Sequence, residues 1–149
     1  MTYSTSEAAK KLNLSKDTLL YYEKEGLLPP IQRNISGHRI YSETDMEWIF
    51  LIRSLRDTDM PIAKVKHYVS LLIKKGGESI SERREILTNH KIFLSEKIAL
   101  YQNLFKLIEK KITFYNDVLN NENPDTIKCM DYITEWEQFR SKLKGVKHG

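Results

Sequence analysis

Lys16, Asp17 and Thr18 follow Ser15 at the head of a short helical stretch, and all four side chains can hydrogen-bond to base edges. The major groove admits a helix and shows a distinct donor–acceptor pattern for each base pair, so polar residues in a helix's first turn are placed to read it. One turn further on, Tyr21 and Tyr22 carry phenols that can lie along sugar and donate to phosphate. Beyond Pro29-Pro30 and a Ser36-Gly37 turn, Arg39 and Tyr41 can hold the flanking backbone in the same way. Contacts of that second kind position a protein on the duplex and carry no sequence information. Arg33 and His38 on the same ribbon, with Lys64 and Lys66 in a later helix, complete the candidate contacts. Plainer uses exist for each: one tyrosine of an adjacent pair commonly packs inward, Arg39 can be a surface charge, and Tyr41 can pack beneath the ribbon. It is the combination of helix, tyrosine pair, Pro-Pro and ribbon that makes double-stranded DNA the expected partner.

The elements that must position these residues are legible from caps and breakers. Ser4 and Glu7 have capping-box spacing, which predicts a first helix from Thr5 with Ala8, Ala9 and Leu12 inward. Asn13 tolerates the left-handed conformation a sharp turn needs. Ser15 then caps a second helix of about ten residues, with Leu19 inward and Gly26 as its stop. Two short helices joined by a tight turn form a helix-turn-helix, and the ribbon makes it winged. Ser42 and Asp45 predict the start of a third helix, with Met46, Ile49, Phe50 and Ile52 through Leu55 as its apolar positions. Thr58 to Pro61 breaks it. A fourth helix places Ile62, Val65, Val69 and Leu72 on one side and ends at Gly76-Gly77, closing a DNA-binding domain over residues 1–75.

Ser79 and Glu82 repeat the capping-box spacing and predict a long helix over residues 78–121. Leu87, Lys91, Leu94, Ile98, Tyr101, Phe105, Ile108, Ile112, Tyr115 and Leu119 alternate at spacings of four and three, and nine of these ten are apolar. One helix cannot bury such a stripe, so a coiled coil with a partner is expected; the plainer reading folds the helix back on its own domain. In the tail, residues 122–149, Ile127, Met130, Ile133, Trp136 and Phe139 fall near helical spacing and predict a short amphipathic helix. The expected fold class is therefore mainly α.

The chain has 149 residues and a net charge of +4. Lysine and arginine outnumber aspartate and glutamate by 12 to 9 over residues 1–75 and by 12 to 11 over 76–149, so the positive excess sits mainly in the first half. A single cysteine, Cys129, excludes an internal disulfide and a Cys-rich metal site. His38, His67, His90 and His148 show no ligand spacing, so neither metal nor cofactor is expected. No apolar run approaches the roughly 20 residues of a membrane span, and no basic-then-apolar leader opens the chain. A soluble, cytoplasmic protein is expected. No glycine-rich phosphate loop and no nucleophile–base spacing suggests an enzyme.

The stretches Tyr3-Ser-Thr-Ser-Glu-Ala-Ala-Lys, Leu14-Ser-Lys-Asp-Thr-Leu, Tyr21-Tyr-Glu-Lys-Glu-Gly-Leu-Leu-Pro-Pro, Ser36-Gly-His-Arg-Ile-Tyr-Ser and Ile52-Arg-Ser-Leu-Arg resemble the MerR family of transcriptional regulators, and Met60-Pro-Ile fits as well. The resemblance covers residues 2–75 in motif detail and residues 80–120 in kind, as that family's antiparallel dimerisation helix. It implies a homodimer on a palindromic operator between promoter elements set too far apart for RNA polymerase. Effector binding would then lead the dimer to bend and untwist the DNA, so that the duplex's resistance to deformation becomes part of the signal.

Two departures from the family pattern stand out. Family members commonly carry arginine just before the tyrosine pair, where this chain has Leu20. Met60-Pro-Ile and the seam helix look like the branch that senses aldehydes and other electrophiles, whose lone cysteine matches Ser54 here; a serine hydroxyl without a base is no substitute for a thiolate. Cys129 is either a thiol sensor or a small apolar residue beside Met130. A small apolar or aromatic ligand between the root of the coiled coil and the tail would be lined by Tyr115, Tyr132, Trp136 and Phe139. An architectural DNA-binding protein or coiled-coil scaffold without an effector is the competing expectation, distinguished by its lack of sequence selectivity.

Overall fold

The computed structural model describes residues 1–120 together with Glu137, Gln138, Arg140 and Ser141, and the chain divides into two units, Met1–Thr88 and Asn89–Gly149. The first unit runs β1 (Thr2–Tyr3), α1 (Thr5–Lys11), α2 (Lys16–Lys24), β2 (Gln32–Arg33), β3 (Arg39–Ser42), α3 (Glu43–Asp57) and α4 (Ile62–Lys75), followed by a 3-10 turn and the start of α5 (Ile80–Asn120). It is the expected winged helix-turn-helix followed by a long helix.

The caps of the first three helices form where the sequence placed them. Ser4 Oγ accepts from the Glu7 amide at 3.3 Å while the Glu7 carboxylate accepts from the Ser4 amide at 2.8 Å. Ser42 and Asp45 repeat the exchange at the head of α3. Asn13 turns the chain between α1 and α2 at φ 51°, and Gly26 stops α2 at φ 68°, a conformation that costs a glycine little. Such caps satisfy amide donors that a helix leaves unpaired in its first turn.

Leu19, Leu27, Ile49, Ile52, Met60, Val65 and Val69 are fully buried in one core that α1 to α4 share. Two arginines of the Ile52-Arg-Ser-Leu-Arg stretch serve this framework. Arg53 donates to the Leu12 carbonyl at the end of α1, and Arg56 Nη1 donates to the Met60 carbonyl at 2.7 Å. Tyr3 ties β1 to two helices: its hydroxyl donates to Glu43 Oε1 at 2.6 Å and accepts from Lys11 Nζ at 3.0 Å.

The ribbon is a three-stranded antiparallel sheet in the order β1-β3-β2, with Tyr3 opposite Tyr41 and Arg33 opposite Arg39. The outer strand β1 was not expected, because two residues are too few to show alternation. Phe50 departs from its expected place on the inner face of α3 and is 60% exposed. Each helical residue turns about 100°, so with Met46, Ile49, Ile52 and Leu55 inward, the neighbour of Ile49 swings off the stripe.

The capping box expected at the head of the long helix does not form. Ser79 ends the 3-10 turn Gly76–Ser79, fully buried, with its hydroxyl donating to the Gly76 carbonyl at 2.7 Å and accepting from Arg83 Nε at 3.0 Å. Glu82 instead accepts from Lys75 Nζ at 2.8 Å. Within α5, Leu87 rests half-buried against the core of its own unit beside Ile86, a correction to its place on an open seam. Leu94 is half-buried and Lys91 exposed. From Ile98 onward the seam is open: Tyr101, Phe105, Ile108, Ile112 and Tyr115 are each at least half exposed, and Leu119 is more so.

Candidate nucleic-acid interface

The second helix sorts its side chains by spacing. Leu19 and Tyr22 point into the core, while Lys16, Asp17, Leu20, Tyr21 and Lys24 are exposed. Lys16, Leu20 and Lys24 follow one another at intervals of four and so form a line along the outer face. Lys16 and Lys24 make no ion pair with a described residue. Ser15 is exposed but committed to its cap: its Oγ accepts from the Thr18 amide at 3.0 Å and lies 2.8 Å from the Thr18 hydroxyl. The cap thereby orients Thr18, which is half-buried.

The tyrosine pair divides. Tyr21 is 44% exposed and available to a ligand, whereas Tyr22 is 7% exposed and belongs to the core. Burial pushes the Tyr22 phenol pKa up, with the Asp57 carboxylate adding to the rise. Tyr22 therefore packs in the core. Tyr41 is corrected in the same sense. It is completely buried between strands and helices, and burial likewise raises its pKa. Its hydroxyl makes no hydrogen bond to a described residue; the nearby Thr5 hydroxyl partly opposes the rise without completing one.

On the wing, Arg33 Nη1 donates to the Gly37 carbonyl at 2.9 Å, and His38 is exposed with its amide bound to Asn34 Oδ1 at 2.9 Å. Arg39 donates through Nε to the Glu23 carboxylate of α2. Lys66 of α4 reaches Glu25 at 3.0 Å, while Lys64 is half-buried. Glu23 of α2 and Glu25, its C-cap, thus hold two of the expected cationic contacts. Sequence reading missed these partners, because their pairing crosses 16 and 41 residues of chain. Lys24 was also missed, although its fourfold spacing from Lys16 was there to be read.

Ser54 donates to the Phe50 carbonyl at 2.8 Å, an ordinary bond within its helix. Tyr115 is exposed on α5, in contact with Phe114 and with Lys111 above its ring. Cys129, Tyr132, Trp136 and Phe139 lie outside the described residues. Among the described residues no group of three His, Cys, Asp or Glu side chains could hold a metal ion, and no helix is long and apolar enough to cross a membrane.

Residues 3–72 match the profile of the MerR HTH family regulatory proteins. An uncharacterized HTH-type transcriptional regulator of Haemophilus influenzae is 35% identical over 77% of this chain and 84% of its own. The chain belongs to the MerR family. The HTH-type regulator YyaN of Bacillus subtilis is likewise 35% identical, over 82% of this chain and 96% of its own. Among solved structures, HiNmlR, a MerR family regulator lacking the sensor domain and bound to promoter DNA, superposes with a TM-score of 0.77 at 31% identity, covering 85% of this chain and all of that one. This protein is thus a MerR-type transcriptional regulator with a mainly helical fold, and the competing scaffold reading is not favoured.

Proposed function

We propose that this MerR-type regulator acts as a homodimer on a palindromic promoter operator and activates RNA polymerase by bending and untwisting the DNA between promoter elements. The observation that carries the reading is the exposed face of α2, where Lys16, Asp17, Tyr21 and Lys24 stand clear of the core beside a wing bearing Arg33, His38 and Arg39. HiNmlR, similar over 85% of this chain, has its structure with promoter DNA. A helix of this kind reads bases from its first turn, while wing and tyrosine contacts fix its register on the backbone.

The apolar stripe from Ile98 to Leu119 supports pairing of two α5 helices as an antiparallel coiled coil. Seven large apolar side chains exposed in one line (Ile98, Tyr101, Phe105, Ile108, Ile112, Tyr115 and Leu119) exceed what a helix in water leaves open. The 41 residues of α5 span about 60 Å, a strut long enough to set the distance between two half-sites. The division into a DNA-binding domain over 1–75, a dimerisation helix over 78–121 and a tail over 122–149 belongs to the same proposal. We place the work in the cytoplasm, by binding and without catalysis.

Regulation through a thiol at position 54 is not part of this reading, since this chain has a serine there and its hydroxyl donates to the Phe50 carbonyl. The test is transcription in vitro from a promoter carrying the selected operator. The protein should activate on the native spacing between elements, and shortening that spacing should make transcription independent of the protein. Equal dependence at both spacings contradicts activation by deformation.

A further inference from the structure

Residues Lys97-Ile-Ala-Leu-Tyr101 and Lys111-Ile-Thr-Phe-Tyr115 repeat one pattern 14 residues apart: a lysine, an isoleucine, and a tyrosine three positions further on. Fourteen residues are two heptads, so the copies share one face of α5 at a distance of about 21 Å. They also match in structure. Ile98, Ile112, Tyr101 and Tyr115 are exposed to the same degree, 53–55%. Lys97 Nζ lies 5.9 Å from the Tyr101 ring centre, and Lys111 Nζ lies 4.9 Å from that of Tyr115. A cation held over each ring narrows the directions in which an exposed phenol can turn.

Between the two copies the stripe holds Phe105 and Ile108, and outside them stand Leu94 and Leu119. This order complements itself when reversed. Turned about the midpoint between Phe105 and Ile108, Ile98 meets the partner's Tyr115 and Tyr101 meets the partner's Ile112. Phe105 then meets the partner's Ile108, and Leu94 meets the partner's Leu119. Every rung inside the leucines pairs one aromatic ring with one isoleucine, which keeps the seam at an even width. Sliding one helix by a heptad spoils the match. In one direction Lys91 faces the partner's Tyr115, and Leu119 faces the partner's Leu87, a position already packed against its own core. In the other direction Leu94 and Ile98 pass the end of the partner's α5, a helix that stops at Asn120.

We propose that this repeat is a self-recognition code: its first copy in one protomer docks on its second copy in the other, with the two-fold axis midway between Phe105 and Ile108. The occupant is a second copy of this chain, because a two-fold contact requires a surface that complements itself, and this stripe does. The proposal rests on the homodimer reading above and adds to it the register and the residues that select it.

The experiment reads the register and the code separately in the full-length chain. A spin label on Glu96→Cys, an exposed position, is placed in a Cys129→Ser background. The two labels of a dimer should stand about 31 Å apart along the helix axis, and each heptad of slippage changes that by about 10 Å. Tyr101→Ile sets isoleucine on isoleucine, and Ile112→Tyr sets tyrosine on tyrosine, so each should weaken dimerisation about tenfold. The double variant restores a mixed rung and should dimerise within about threefold of wild type. A label separation displaced by a heptad, or a double variant no stronger than either single one, overturns the proposal and leaves antiparallel pairing standing. Labels level with each other would show parallel helices and overturn the antiparallel reading as well. A wild-type chain that stays monomeric would bring down the homodimer reading itself, and this inference with it.

Discussion

Arg39 Nε donates to Glu23 Oε2, joining the second wing strand to the last turn of the recognition helix. Both side chains keep about a quarter of their accessibility, 28% and 24%, and the terminal nitrogens of Arg39 make no hydrogen bond to a described residue. Glu23 therefore does two opposed things. It aims the guanidinium, and it competes with a phosphate for it.

Which of the two dominates is set by charge. A carboxylate beside a phosphate contact repels DNA, and an exposed ion pair contributes little to folding. Glu23→Gln is expected to tighten binding to every duplex several-fold and to steepen the salt dependence by about one unit. Arg39→Ala should weaken all sequences uniformly and flatten the slope by about one. Weaker binding in Glu23→Gln would show that aiming matters more than competition.

Leu20 lies between Lys16 and Lys24 on the outer line of α2 and is 37% exposed, at the position where the family commonly carries arginine. Replacing it with arginine adds a cation on the face proposed to meet DNA. Leu20→Arg is expected to raise affinity and steepen the salt slope by about one. Titrations at several salt concentrations with no change in either quantity would reject the assignment of that face.

Tyr41 buries a hydroxyl without a hydrogen bond to any described residue. Such a group costs its desolvation, so Tyr41→Phe should raise stability by about 1 kcal/mol and leave DNA affinity unchanged. The exposed Tyr21, by contrast, should lose affinity when its hydroxyl is removed. Denaturant melts and binding curves on the two variants check both statements; a drop in affinity for Tyr41→Phe would return that residue to the interface.

Acid should weaken the unit through one helix cap and one ion pair. The Ser4 backbone amide and then its hydroxyl donate to Glu7, and Lys75 donates to Glu82, so both carboxyls titrate below their ordinary 4.5. A carboxyl lowered on folding contributes stability that is fully present above its unfolded pKa and lost as pH falls through its folded value. The melting temperature should hold from pH 7 to about 5 and then decline. Glu7→Ala with Glu82→Ala should decline less steeply; an equal slope would contradict the assignment.

Much of the winged unit was legible because its signals are local. The pairs Ser4–Glu7 and Ser42–Asp45, with Asn13, Gly26 and Pro61, each act within a turn of chain, and each did what its chemistry dictates. What stayed hidden depends on distant partners. The inward turn of Tyr22 and Tyr41 is decided by packing that spacing alone leaves even, and the ion pairs of Arg39 and Lys66 by chain folding back. Ser79 and Glu82 show the limit of a local motif. The box had its residues, but Gly76 bends the chain at φ 51° into a 3-10 turn, and Arg83 and Lys75 claim the two side chains instead. One measurement tests the contacts assigned to DNA most directly.

That measurement is selection of bound sequences from a random duplex pool by purified full-length protein at about physiological ionic strength, 0.15 M. A dimer of recognition helices joined by α5 struts predicts enrichment of one inverted repeat with a single half-site spacing. Binding that enriches no motif, or only an unpaired half-site, would contradict a dimeric, sequence-specific regulator.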